Sequence, residues 1–265
     1  MCPRLDWMNM RSFFEAISVS CVIPAQSPAD DERTVFENLS FAVERGEIVD
    51  LVGPSGSGKS SLLTACARLN PHAHGTFALE GKGSGEFTPQ QWRRDVAYLP
   101  QKPILTGKNV AEAIRLPWTL AIRGKGGKGE HLLPDERIRT TLDAMGCEDI
   151  DLERAPHDLS GGQAQRVVIA RAIINEPKVI LADEPMSAID VAARIQILDT
   201  FAAIRAARPS TAIIMVSHDL GVVQHIADRI LVLHDGRVEE TGPTAEVLGN
   251  PQSDYTRQLI EAASL

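Results

Sequence analysis

The sequence has no apolar run near the roughly 20 residues that cross a bilayer as one helix. Its longest apolar stretches, "TAIIMVS" and "VVIA", stop far short. The opening residues, "MCPRLDWMNMRSFFEA", scatter charges among apolar positions and hold no secretory-type apolar segment, so the expectation is a cytoplasmic chain. Cysteine is sparse and dispersed. Cys2, Cys21, Cys66 and Cys147 form no Cys-x-x-Cys pair and read as reduced thiols. The seven histidines lack metal-ligand spacing, which argues against a structural zinc site. Heptads and internal repeats are absent. Positive charge is not in excess: 27 Lys and Arg face 35 Asp and Glu, a net charge of −8, which argues against a dedicated nucleic-acid partner.

What is present fits one large domain with an insertion. The 265 residues are 43% apolar, enough for a substantial core. Residues 14–22 and the stretch "TVFENLSFAVERGE" read as strands, and "IVDLVG" as a buried parallel strand. From there strands alternate with helices, which predicts an α/β fold with a mainly parallel sheet and an N-terminal antiparallel β portion. Residues 101–160 change character: "NVAEAIRLPWTLAI" and "PDERIRTTLDAMG" have helical periodicity, separated by the Gly- and Lys-rich loop "RGKGGKGEH". The expected organisation is an N-terminal extension (1–13), a core from 14–100 and 161–265, and an inserted helical subdomain over 101–160. "RILVLHDGRVEETG" reads as a hairpin with Asp-Gly at its tip.

The stretch "GPSGSGKSS" between a strand and a helix fits G-x-x-x-x-G-K-[ST], with Gly53, Gly58, Lys59 and Ser60 at the fixed places. A loop built from Gly53, Pro54, Ser55, Gly56, Ser57 and Gly58 can turn its backbone N–H groups toward one anion, and the helix opening at Lys59, Ser60 and Ser61 adds its positive end. Lys59 then neutralises the β- and γ-phosphates, and the Ser60 hydroxyl ligates Mg²⁺. The buried strand "VILADEP" ends in two carboxylates at the edge where open α/β sheets bind ligands. There Asp183 holds Mg²⁺ and Glu184 serves as general base toward water.

The run "LSGGQAQR" decides the family. With it, residues 14–260 resemble the ATP-binding subunits of ABC transporters, a branch of the P-loop NTPases. Ser160, Gly161, Gly162 and Gln163 match the signature, whose helix tip forms a second anion site. The resemblance implies that this tip faces the γ-phosphate of ATP held by a second ATPase subunit, identical or homologous, in a head-to-tail dimer. It implies that Gln101 senses Mg²⁺ and the attacking water, that His218 contacts the γ-phosphate, and that Ser187, Ala188, Ile189 and Asp190 cross the dimer interface. It also implies a membrane-spanning partner docked near residues 101–120, on the inner face of the cell membrane, with no nucleic acid involved. The alternative is a soluble ABC-type ATPase acting on nucleic acid or ribosomes; a single cassette and the negative charge weigh against it.

The C-terminal half looks most like the ATPases of bacterial peptide and nickel importers, while the segment from Trp92 to Gly124 looks more like a group linked to metal or phosphate traffic. Three positions depart from the family pattern. Val22 and Ile23 stand where an aromatic residue usually stacks on adenine. Met186 replaces a small residue. Asp50 interrupts the apolar strand before the loop and needs either a hydrogen-bonded partner or water. Lys59→Ala is expected to abolish nucleotide binding, or nearly so; tight ATP binding by that variant, measured calorimetrically, would contradict the loop assignment.

Overall fold

The computed structural model describes residues 12–25, 31–119, 133–187, 189–217 and 219–263. The chain divides into two compact units. The first takes the chain up to Tyr98, Lys178–Asp183 and Ser210 onward; the second takes Leu99–Pro177 and Glu184–Pro209.

In the first unit β1 (Phe14–Ile23) pairs antiparallel with β2 (Arg33–Val43) and with β4 (Ala73–Leu79), and the short β5 (Lys82–Gly83) extends this sheet in the order β2-β1-β4-β5. A second sheet has the order β10-β9-β3-β8-β7-β6. Its centre is β3 (Ile48–Val52), parallel both to β8 (Ala212–Val216) and to β9 (Arg229–His234). The strand β7 (Val179–Asp183) runs parallel to β8, and β6 (Val96–Leu99) closes that edge. At the other edge β9 and β10 (Arg237–Pro243) form the hairpin expected from Asp235-Gly236. Both turn residues have positive φ, +45° and +70°, as a two-residue turn matched to strand twist requires.

The largely apolar character of β3, β7 and β8 follows from burial on both faces. On one face Val49, Leu51, Leu181, Ile214 and Val216 share a core with Leu62, Leu63 and Cys66 of α1 (Lys59–Cys66). Trp92 of α2 (Pro89–Asp95) completes it: the indole is fully buried, meets Phe87 edge-on at 5.4 Å and donates from Nε1 to the Cys66 carbonyl at 2.9 Å. On the other face Val52, Ile230 and Val232 pack with Val223 of α7 (Leu220–Ile226) and Val247 of α8 (Thr244–Gly249); the last helix, α9 (Asp254–Ala263), adds Tyr255 and Leu259.

The second unit is helical: α3 (Val110–Thr119), α4 (Asp135–Asp143), α5 (Gly161–Ile173) and α6 (Val191–Ala207). Ile114, Ile138, Leu142, Val167, Ile197 and Phe201 are buried within it. Gly162 is where α5 meets α6: a Cβ there would lie 2.6 Å from Ala193 Cβ, so only hydrogen fits. Arg166, nearly fully buried, is held by a two-pronged pair with Asp149 at 2.9 and 2.8 Å, which keeps the Asp149 carboxyl below the usual carboxylate range.

The carboxyl of Asp50 sits mid-strand with no exposure to solvent. One oxygen accepts from the Ser217 amide at 3.2 Å; among the described residues the other has no hydrogen-bond partner. Burial pushes its pKa from 3.8 up to about 8, against the opposing pull of the Ser217 hydrogen bond and the Lys59 charge. The unfolded chain releases this proton near pH 4 and the folded chain holds it to about pH 8, so stability falls as pH rises through that window and levels off above it. Asp50→Asn, which mimics the protonated acid, is expected to exceed the parent in stability at pH 8 and to lose that advantage toward pH 4. Urea unfolding at both pH values checks this, and parallel pH profiles for the two proteins would contradict it.

Candidate nucleotide site

The loop from Gly53 to Gly58 leaves the carboxyl end of β3 and enters α1. Its glycines answer to neighbours. A Cβ on Gly53 would lie 2.1 Å from the Leu233 carbonyl oxygen, and one on Gly58 would lie 2.8 Å from Val35 Cγ1. Gly58 also caps α1 in the left-handed region at φ +94°, where a side chain is strained. At these two positions the backbone therefore lies close against β9 and β2.

Lys59 is 5% exposed, and its Nζ donates to the carbonyls of Gly53 and Pro54, each at 2.8 Å. An ammonium this buried is tolerated because those dipoles surround it. One position on, the Ser60 hydroxyl donates to Asp183 Oδ1 at 2.8 Å, and Tyr98 donates to Asp183 Oδ2 at 2.9 Å. Burial, then the Asp183 charge, pushes the Tyr98 phenol upward, so it stays a donor. The first unit thus gathers an ammonium, two hydroxyls and a carboxylate at the strand–loop–helix junction. Tyr98 carried no motif signal; only the fold shows it.

In the second unit Gln101 Nε2 donates to Glu184 Oε2 at 2.6 Å, leaving the amide oxygen of Gln101 for another partner. Glu184 is half-buried and takes φ +46°, rare for a residue with a side chain and found where surrounding structure over-determines the backbone. The signature forms the start of α5. Ser160 is the N-cap: its hydroxyl accepts from the Gln163 amide at 3.2 Å, while Gln163 Oε1 accepts from the Ser160 amide at 3.1 Å. Gln163 also donates to Asp149 and accepts from Arg154, so its side chain holds the helix tip in shape. Ser160 and Gly161 are exposed, and Gly162 is buried against α6.

His218 and Ala188 lie outside the described residues, as does the Gly- and Lys-rich loop. Met186 is buried in the second unit at 7% exposure, so a larger apolar side chain is accommodated there. Trp118 is half-buried with the Arg137 guanidinium 5.3 Å from its ring, whereas Ile104 is exposed. Among the described residues no helix is long and apolar enough to cross a membrane.

Comparison with known proteins gives the same reading from another direction. The ABC transporter family profile matches residues 36–187. A putative peptide import ATP-binding protein of Brucella ovis is 35% identical over 232 residues, covering 86% of this chain and 72% of that one. The di/tripeptide transport ATP-binding protein DppF of Pseudomonas aeruginosa is 34% identical, covering 86% and 70%. The glutathione import ATP-binding protein GsiA of Salmonella choleraesuis is 35% identical over 87% of this chain but only 37% of its own length. Among solved structures, the ATP-binding cassette MJ0796, dimeric in a post-hydrolysis state bound to ADP and Pi, matches with a TM-score of 0.71 and 27% identity, over 87% of this chain and 98% of that one. The family profile over more than half of the chain, and relatives covered to more than two thirds of their length, make this chain an ATP-binding, ATP-hydrolysing member of the ABC transporter family.

Proposed function

We propose that the chain is the motor subunit of a bacterial importer of small peptides, working at the cytoplasmic face of the membrane on a separate membrane-spanning subunit and without nucleic acid. The import names of its relatives support the cargo class, since two of them handle di- or tripeptides and glutathione. The observation that carries the motor assignment is the junction at Lys59, Ser60 and Asp183, where a backbone cradle, a cation and a paired hydroxyl and carboxylate meet.

In this reading the loop from Gly53 to Ser61 binds the triphosphate through its amides. Lys59 exchanges the Gly53 and Pro54 carbonyls for β- and γ-phosphate oxygens. The oxygens of Ser60 and Asp183 suit a hard divalent cation, and the Ser60 hydroxyl keeps lone pairs free while its proton goes to Asp183. Mg²⁺ held there supplies charge neutralisation on the phosphates. Glu184 accepts the proton of the attacking water, oriented by the Gln101 amide; His218 meets the γ-phosphate.

A second subunit, identical or homologous, brings the Ser160, Gly161 and Gly162 tip of its α5 to that γ-phosphate, head to tail. The exposed tip supports this, as do Val191 and Ile195, one turn apart on α6 and 71% and 55% exposed, next to the Ser187–Asp190 loop. ATP favours the closed pair because only then is its terminal phosphate satisfied from both sides; once the cleaved phosphate departs, that link is lost and the pair opens.

Glu184→Gln keeps the shape and removes the base. It is expected to slow hydrolysis by at least about 10²-fold and to trap an ATP-dependent dimer on gel filtration. Normal turnover by this variant would contradict the general-base role.

A further inference from the structure

A cleft of about 470 Å³ opens beside the phosphate loop, within the first unit. Pro54, Ser55 and Gly56 form one wall, Val35 and Glu37 of β2 another, and Arg237 at the start of β10 stands at its side. Neither Lys59 nor Ser60 lines it. The cleft therefore shares Pro54–Ser57, the first half of the phosphate loop, and leaves out Lys59 and Ser60, which the terminal phosphates engage; the base and ribose of a nucleotide need a space placed in this way. The volume takes a nucleobase with room for its sugar.

The cleft has no aromatic face to offer. The one ring among its lining residues belongs to Phe36, which is 1% exposed and packed into the core. Val22 and Ile23, at the end of β1, are aliphatic, and the segment from Pro24 to Thr34 contains no aromatic residue. What the cleft offers instead is a guanidinium. Arg237 is exposed, and among the described residues its side chain makes no ion pair or hydrogen bond. Its neighbour across the turn, Gly236, is locked in place: a Cβ there would lie 2.9 Å from the Val35 carbonyl oxygen, so the hairpin tip is pinned against β2 and Arg237 enters the cleft from a fixed base. A planar, delocalised, weakly hydrated cation stacks well on a π-face.

Resting on the assignment of the phosphates to the loop, we propose that the nucleobase of ATP lies in this cleft with the Arg237 guanidinium on its face, taking the place of an aromatic ring. Arg237 is then the residue that ties base affinity to the hairpin β9–β10. Lysine is not its equivalent, since a compact ammonium lacks the flat face.

The test compares ATP with inorganic tripolyphosphate, which has the phosphates and no base, by calorimetry on the full chain. Arg237→Ala is expected to raise the Kd for ATP by about 2- to 30-fold and to leave that for tripolyphosphate unchanged. Arg237→Trp restores the ATP value and Arg237→Lys does not. Equal weakening of both ligands by Arg237→Ala would place the guanidinium on phosphate and overturn the proposal, as would an unchanged ATP affinity. Failure of the parent protein to bind either ligand would overturn the loop assignment itself, a separate result.

Discussion

A backbone that presents several N–H groups to one anion must be held in shape. Here Lys59 ties the loop from within through the Gly53 and Pro54 carbonyls, and a strand of each sheet backs it from outside. The Leu233 carbonyl of β9 leaves no room for a Cβ on Gly53, and Val35 of β2 leaves none on Gly58. The loop is thus cast against two strands, of which β9 is fixed by burial on both faces and β2 by the core that holds Phe36, Leu39 and Phe41, and its amides are oriented before any phosphate arrives. Pre-orientation of this kind is where a phosphoryl-transfer site gains most, since the dipoles need not reorganise as charge moves.

The same constraint explains the polar groups clustered behind and beside the loop. Lys59 takes the carbonyls of Gly53 and Pro54 as partners, and Asp183 is held between the Ser60 and Tyr98 hydroxyls. Lys59 and Asp183 are buried and Tyr98 is half-buried, and each has a defined partner, as buried polar groups require. Asp50 is an exception: among the described residues one oxygen lacks a partner, and burial pushes its pKa up to about 8, which favours the protonated acid. The left-handed backbone at Glu184 is a second local cost, placed at the residue that follows Asp183.

Much of this was legible in the sequence, because the signals were local. The strand–loop–helix at 53–60 and the Asp-Gly hairpin follow from short-range rules that the fold does not override. The helical periodicity of "PDERIRTTLDAMG" returns as α4, Asp135–Asp143. What the sequence concealed depends on distance along the chain. Tyr98 meets Asp183 across 85 residues, and Arg237 reaches the cleft beside Pro54 through the sheet order, which no periodicity reports. The two signature glycines differ in their surroundings: Gly161 is exposed at the tip, while Gly162 has no room for a Cβ beside Ala193 of the neighbouring helix. Gln163 reads as a ligand-facing residue, and its side chain is engaged in the cap.

The central claim is that one nucleotide is held by two backbone cradles, Gly53–Ser61 on one subunit and Ser160–Gln163 on another. Amide hydrogen exchange of the full chain, with and without a non-hydrolysable ATP analogue, reads both cradles in one measurement. The account predicts slowed exchange across 53–61 at every protein concentration, and slowed exchange at 160–163 that grows as the protein is concentrated. Unchanged exchange at 53–61 with the analogue bound, or protection at 160–163 independent of concentration, would contradict it.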